Sequence, residues 1–242
     1  MIKLLTHIPE NLGLSSKYLR KSDIEYDRIF ETVIQSLKNT ERISFLYLWG
    51  VSFKKDSIDI YEQKSMSYLN FLVSKIGLTF SSPINLHIIY TDLHGIANQI
   101  NIEHIEKYYQ DIYKLAKLFN FSLSRLSSYF SEKEIENLYI TENENSELFE
   151  KKKEILIKYA SNSGIKDTAE TRAYKYFITR IKEKPILSSQ FKDTILLAGE
   201  RLNLDFLLLD LPRLYIYDSD FKKNHKPWNL IENKEEALCV EL

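Results

Sequence analysis

The strongest constraint on this chain is a pair of short apolar runs with a single amphipathic stretch between them. Ile43 to Trp49 (Ile-Ser-Phe-Leu-Tyr-Leu-Trp) is aliphatic and aromatic, closes at Gly50, and reads as a buried strand. Ile84 to Tyr90 follows Pro83 and reads as a second. Between them, Glu62 to Ile76 places Met66, Leu69, Phe71, Leu72, Val73 and Ile76 at mostly helical spacing, with Gly77 positioned to end the helix. Strand, helix and strand in this order predict a βαβ unit of a parallel sheet with a right-handed crossover. Both strands then release the chain at the same sheet edge, where ligands bind in open α/β sheets.

The exit of the second run carries the chemistry. Thr91, Asp92, His94, Gly95 and Asn98 follow the apolar residues directly, bringing a carboxylate, an imidazole and a carboxamide to that edge. On an extended segment, residues two apart point the same way, so Asp92 and His94 are expected to act together as acid and base on one substrate. The competing reading is structural: Asp92 bonds amides of its own turn and His94 makes an ordinary hydrogen bond. No His-Glu-x-x-His spacing supplies a third ligand, so no metal site is expected. His87, inside the run, reads as a sheet-face histidine.

The remaining elements are assigned by the same periodicity. A helix is expected from Ile24 to Leu37, with Ser22 and Glu25 as a capping box. Ile102 to Phe119 forms the clearest helix, capped by Asn101, and Phe121 to Leu126 reads as a short third strand. Glu132 to Tyr159 is charged and helix-prone with a break around 142–145. Thr168 to Lys182 is helical, Pro185 ends it or begins the next element, and Phe191 to Leu202 is expected to be a further helix. Phe206 to Leu209 and Leu214 to Tyr217 are short apolar runs on either side of Pro212. The economical organisation is one α/β domain over residues 1–242 with a helical insertion at about 130–182.

Composition narrows the setting. A formal charge of −1 gives no strong basic field for nucleic acid, and a single cysteine, Cys239, excludes an internal disulfide framework. No stretch approaches the ~20 apolar residues of a membrane helix. A reducing, cytoplasmic setting without membrane attachment is expected. Gly50-Val51-Ser52-Phe53-Lys54-Lys55 is neither a Walker loop nor a dinucleotide fingerprint, so ATP and NAD are not indicated and the cofactor is left unknown. Lys54 and Lys55 lie at the ligand edge, where an ammonium holds a phosphate or carboxylate unless the pair is simply solvated. Arg172 and Lys175 share a helix face that reads either as an anion clamp or as a solvated surface. For Arg201 a surface position is the default, and Asp210 and Arg213 flank Pro212 either as a turn cap or as a site pair.

Taken in order, these segments resemble the isocyanide (isonitrile) synthases of the pyoverdine and dityrosine biosynthesis family. Gly50 to Ser57 is similar to that family's glycine-phenylalanine-proline-x-lysine-serine-proline-asparagine loop, with Gly50 and Lys54 retained. Thr91 to Asn98 resembles its serine-aspartate-glycine-arginine-valine-phenylalanine turn, which continues through a small residue to an aspartate; Leu93, His94 and Asn98 stand where the family has glycine, arginine and that aspartate. Phe121 to Leu126, Tyr174 to Phe177, Arg201, Arg213 to Tyr217 and Lys226-Pro227-Trp228 resemble later family segments, and Tyr217 replaces a histidine.

The resemblance implies a Rossmann-like, mostly parallel sheet flanked by helices, with extra helices in the middle third. It further implies an enzyme that converts an amino acid, aromatic in the family, to an isonitrile with a carbon taken from a phosphorylated pentulose. On that reading Asp92 and His94 are catalytic, and Lys54, Asn98, Arg172, Arg201 and Arg213 bind substrate.

A second resemblance, to cyclodipeptide synthases that use charged tRNA, rests on Trp49-Gly50-Val51-Ser52 and on Phe206 to Pro212, and makes Ser52 the nucleophile. A third reading is a non-catalytic binding protein on a degenerate scaffold, with Glu132 to Tyr159 as partner surface.

Overall fold

The computed structural model describes residues 26–51, 57–140, 146–161, 169–200 and 204–218. The expectations on Ser22, Ser52, Lys54, Lys55, Arg201 and Trp228 lie outside these residues.

Five strands form one sheet: β1 (Ile43–Trp49), β2 (Ile84–Tyr90), β3 (Ser122–Arg125), β4 (Ile195–Glu200) and β5 (Arg213–Asp218). Their order is β3-β2-β1-β4-β5 and every pairing is parallel. β1 and β2 pair over their full length, from Ile43 opposite Ile84 to Trp49 opposite Tyr90, so both release the chain at one level. The expected βαβ unit is present, with α2 (Ile60–Phe80) as its crossover helix. After β3 the chain returns to the other side of β1, which makes the gap between the carboxyl ends of β1 and β4 the topological switch point.

Alternation along the strands explains the layers. Ile43, Phe45 and Trp49 of β1, Leu86, Ile88 and Tyr90 of β2, and Ile195 and Leu197 of β4 form one core with α1 (Tyr26–Thr40), α2 and α4 (Ile102–Leu118). Leu46, Ile89, Leu196 and Ala198 point to the other face and pack with Leu126, Leu138 and Leu187. Burial on both faces is the reason these strands read as near-continuous apolar runs.

Between β3 and β4 lie a 3-10 turn (Leu126–Tyr129), α5 (Glu132–Glu136), α6 (Ser146–Ser161) and α7 (Ala169–Gln190). Phe149 and Leu156 of α6 pack on Ala173, Phe177 and Ile178 of α7 as a third cluster, which also includes Leu204 and Leu207.

Three expectations are corrected. Ile195–Glu200 is a strand, not part of a helix, because Ile195 and Leu197 fill one core and Leu196 and Ala198 the other. Such a run is inherently ambiguous by periodicity. Pro185 lies inside α7 and does not end it. Packing holds both halves of that helix, Phe177 and Ile178 on one side of the proline and Leu187 on the other, against an interior-proline cost of about 3 kcal/mol. Gly77 likewise lies within α2, where a Cβ would come to 2.7 Å from Ile84 Cγ2 and 2.9 Å from Ser82 O.

In an open helix Gly→Ala gains up to about 1 kcal/mol. Here the clash involves backbone, and Gly77→Ala is predicted to destabilise by about 1–3 kcal/mol. Urea unfolding checks this: a lower midpoint at unchanged slope is expected, and a raised midpoint contradicts the close approach.

Candidate functional site

The site forms where the two central strands end. Thr91 closes β2 onto β1: its backbone N–H and its Oγ1 both donate to Trp49 O, at 2.9 and 3.1 Å. The chain then enters a short helix, α3 (Asp92–Ala97), and does not stay extended. This overturns the expectation that Asp92 and His94 point the same way, since residues two apart on a helix face different directions.

Their partners show the consequence. Asp92 is buried; Oδ1 accepts from the N–H of Leu93 and of Ser127 at 3.0 Å each, and Oδ2 accepts from Ser127 Oγ at 2.5 Å. The carboxylate ties α3 to the 3-10 turn after β3. His94 turns instead toward α7, where its Nε2 lies 2.7 Å from Glu183 Oε2 and its ring meets Tyr176 edge-on at 5.2 Å.

Glu183 is fully buried. Burial opposes its ionisation, but Arg180 and His94 oppose burial more strongly and together hold its carboxyl below the usual glutamate range. Arg180 Nη1 donates to Glu183 Oε1 at 2.5 Å and Nη2 donates to Leu207 O at 2.8 Å. The carboxylate therefore has one oxygen on a guanidinium and the other on an imidazole, and it spans two helices.

His94 and Arg180 line a cavity of about 270 Å³ at the switch point. Its floor is Tyr47 and Leu48 of β1 with Leu196 to Ala198 of β4; Gly50, Val51, Tyr176, Asn98 and Leu207 contribute walls. Asn98 caps α3 and donates from Nδ2 to His94 O at 2.8 Å, which fixes the turn below the imidazole. Gly95 packs closely on its neighbours: a Cβ there would lie 3.0 Å from Ile105 Cδ1 and 3.1 Å from Val51 Cγ2.

Of the residues singled out from sequence, the structure thus brings His94 and Asn98 to the cavity, and places Asp92 beside it with its carboxylate occupied. Arg172 has no exposed surface and is not on the cavity wall, so of its two sequence readings the solvated face is overturned. Arg213 opens edge strand β5 opposite Leu196 and is also off the cavity wall, while Asp210 pairs with Arg28 at 3.3 Å. Lys54 and Arg201 lie outside the described residues. His87 sits on the sheet face, with Nδ1 at 2.8 Å from Ser122 Oγ and Nε2 at 2.8 Å from Ser124 Oγ; burial lowers its pKa.

Glu183 and Arg180 were not singled out, and Tyr176 entered only as part of the segment Tyr174 to Phe177. The only signal was a basic and an acidic residue three apart near the end of a helix, a spacing shared with ordinary surface pairs. No group of three or more metal-ligating side chains occurs among the described residues, and no described helix is long and apolar enough to cross a membrane.

The parallel sheet, its flanking helices and the cavity at the strand-order reversal define a Rossmann-like α/β fold. A solved structure similar to this chain is that of the PvcA protein from Pseudomonas aeruginosa, with a TM-score of 0.60 over 93% of this chain and 87% of PvcA. Sequence identity is 16%, so the likeness is one of fold. No protein-family model matches the chain, and neither does any curated protein.

The Glu183 pairing predicts a pH dependence of stability. A carboxyl held below its unfolded value contributes stability that is present above about pH 4.5 and lost as pH falls through the folded value. Glu183→Gln, which cannot ionise, is expected to be less stable than wild type at pH 7. It is also expected to lose less on acidification from about pH 6 to 3, measured by urea unfolding. Parallel acid profiles for the two proteins would contradict the pairing.

Proposed function

We propose that this chain is an isocyanide-synthase-like biosynthetic enzyme, converting an amino acid, aromatic by preference, to an isonitrile with a carbon from a phosphorylated pentulose. Three lines support the reading. The sequence segments resemble that family in order, the fold is similar to that of PvcA, and the cavity lies where such a sheet binds ligands.

The observation that carries it is the composition of the cavity wall. Tyr47, Tyr176 and the leucines of β1 and β4 offer an apolar and aromatic surface, and His94 adds one group able to take and return a proton. Joining an amino nitrogen to a sugar carbonyl demands proton removal from nitrogen and proton delivery to oxygen. His94 is the residue assigned that transfer, and Asn98 holds its backbone. Asp92, proposed from sequence as its partner, acts instead by holding α3 in place through Ser127.

Arg172 and Arg213, also proposed from sequence as substrate ligands, lie away from this wall, and the reading rests on neither. The occupied carboxylate of Asp92 is also the one observation favouring the binding-protein alternative, because it removes a second acid–base group from the cavity.

The test is turnover of an aromatic amino acid with a phosphorylated pentulose, followed by mass spectrometry for the isonitrile. Wild type is expected to form it. His94→Gln carries an amide at the reach of Nε2 and so keeps a donor for Glu183 while losing the base; its turnover is expected to fall by about 10²-fold or more. Its thermal midpoint should stay within a few degrees of wild type. Full activity of His94→Gln removes the histidine from the mechanism, and product from no amino acid overturns the assignment.

A further inference from the structure

Glu183 is completely enclosed, and its two oxygens are committed to different partners, Oε1 to Arg180 and Oε2 to His94. An ionised carboxylate only accepts hydrogen bonds, so the nitrogen facing it must carry the hydrogen. That nitrogen is Nε2 of His94, at 2.7 Å. The other ring nitrogen, Nδ1, makes no hydrogen bond among the described residues, and His94 is one of the residues that line the cavity.

We infer that Glu183 is a positioning residue: through its hydrogen bond to Nε2 it fixes the neutral tautomer of His94 whose Nδ1 lone pair is available as base. Arg180 completes the device by holding Oε1, so that the carboxylate cannot rotate away. The inference rests on the reading of His94 as the proton-transfer group and extends it to a residue that does not line the cavity.

In the reaction, Nδ1 takes a proton from the substrate, the ring becomes a cation beside Glu183, and the same proton is later returned to product. The hydrogen on Nε2 stays where it is throughout. The logic is that of carboxylate–histidine pairs generally, in which the buried carboxylate orients the ring and stabilises its cation without becoming protonated. Here it is assembled from α3 and α7.

The geometry makes a specific claim about Glu183→Gln. Arg180 donates at the Oε1 position, so the amide oxygen must remain there and the amide NH₂ must face His94. A donor opposite Nε2 forces that nitrogen to accept, and the ring hydrogen moves to Nδ1. A substitution that preserves shape thereby removes the base.

The experiment is long-range proton–nitrogen NMR of the full chain labelled with nitrogen-15 histidine, at about pH 8 where an ordinary imidazole is neutral. His94 is assigned from the signal lost in His94→Gln. Wild type is expected to show hydrogen on Nε2 and a bare Nδ1; hydrogen on Nδ1, alone or together with Nε2, overturns the inference. Glu183→Gln is expected to show the reverse pattern, and an unchanged tautomer overturns it.

Kinetics give the second arm. Glu183→Gln should lower kcat by about 10²-fold or more while KM changes little, and an inverted tautomer with full turnover ends the positioning role. Should the variant fail to fold, the wild-type spectrum decides alone. Because that spectrum needs no substrate, it separates failure of the dyad from failure of the proposed reaction.

Discussion

A carboxylate buried as deeply as Glu183 is tolerated only when charge and hydrogen bonds compensate it, because stripping an ion of water costs several kcal/mol even after relaxation. The compensation comes from two directions. Arg180 is supplied by the same helix, one turn earlier, and His94 is supplied by α3, the helix that follows β2. The ion group therefore fastens α7 to the exit of the sheet's central strands. Removing Glu183 leaves an enclosed guanidinium without its counter-charge, whereas removing a surface pair such as Lys151 and Glu147 costs little. The cavity at the switch point owes its shape to this fastening, since α7 provides one wall and β1 and β4 the floor.

The parts of the fold that were legible in the sequence are those set by local pattern. β1 and β2 matched their apolar runs residue for residue, and Asn101 caps α4 as expected, accepting from Glu103 N at 2.7 Å. Elements whose identity depends on tertiary contact were misread. Ile195 to Ala198 show no alternation because both faces are buried there, and only the neighbours β1 and β5 make Ile195–Glu200 a strand. Pro185 and Gly77 are ordinary helix breakers that stay inside helices because packing on both sides outweighs their local cost.

The cavity's position was legible in the sequence, but the arrangement of the candidate site residues was not. The edge beyond β2 was identified, and His94 and Asn98 are there. The pairing of Asp92 with His94 failed because the chain turns helical at Asp92, one residue after Thr91, which sends the two side chains to different partners. Glu183 was invisible for a physical reason: a glutamate three residues after an arginine looks the same whether water or a histidine from a distant segment lies beyond it. The sequence resemblance puts an arginine at the position of His94. Here an imidazole occupies it, a group that binds a carboxylate through one nitrogen while leaving the other available. The departure from the pattern the sequence resembles thus falls on the residue to which the proposed proton transfer is assigned.

The central claim is that an amino acid binds between the ends of β1 and β4 with His94 beside it. A crystal structure of the protein with an aromatic amino acid at saturating concentration tests this most directly. Ligand density is expected over Tyr47 and Ala198, with the amino group within hydrogen-bond reach of His94 Nδ1 and the side chain toward Tyr176. Density at another place on the molecule, or an empty cavity at saturation, would contradict it.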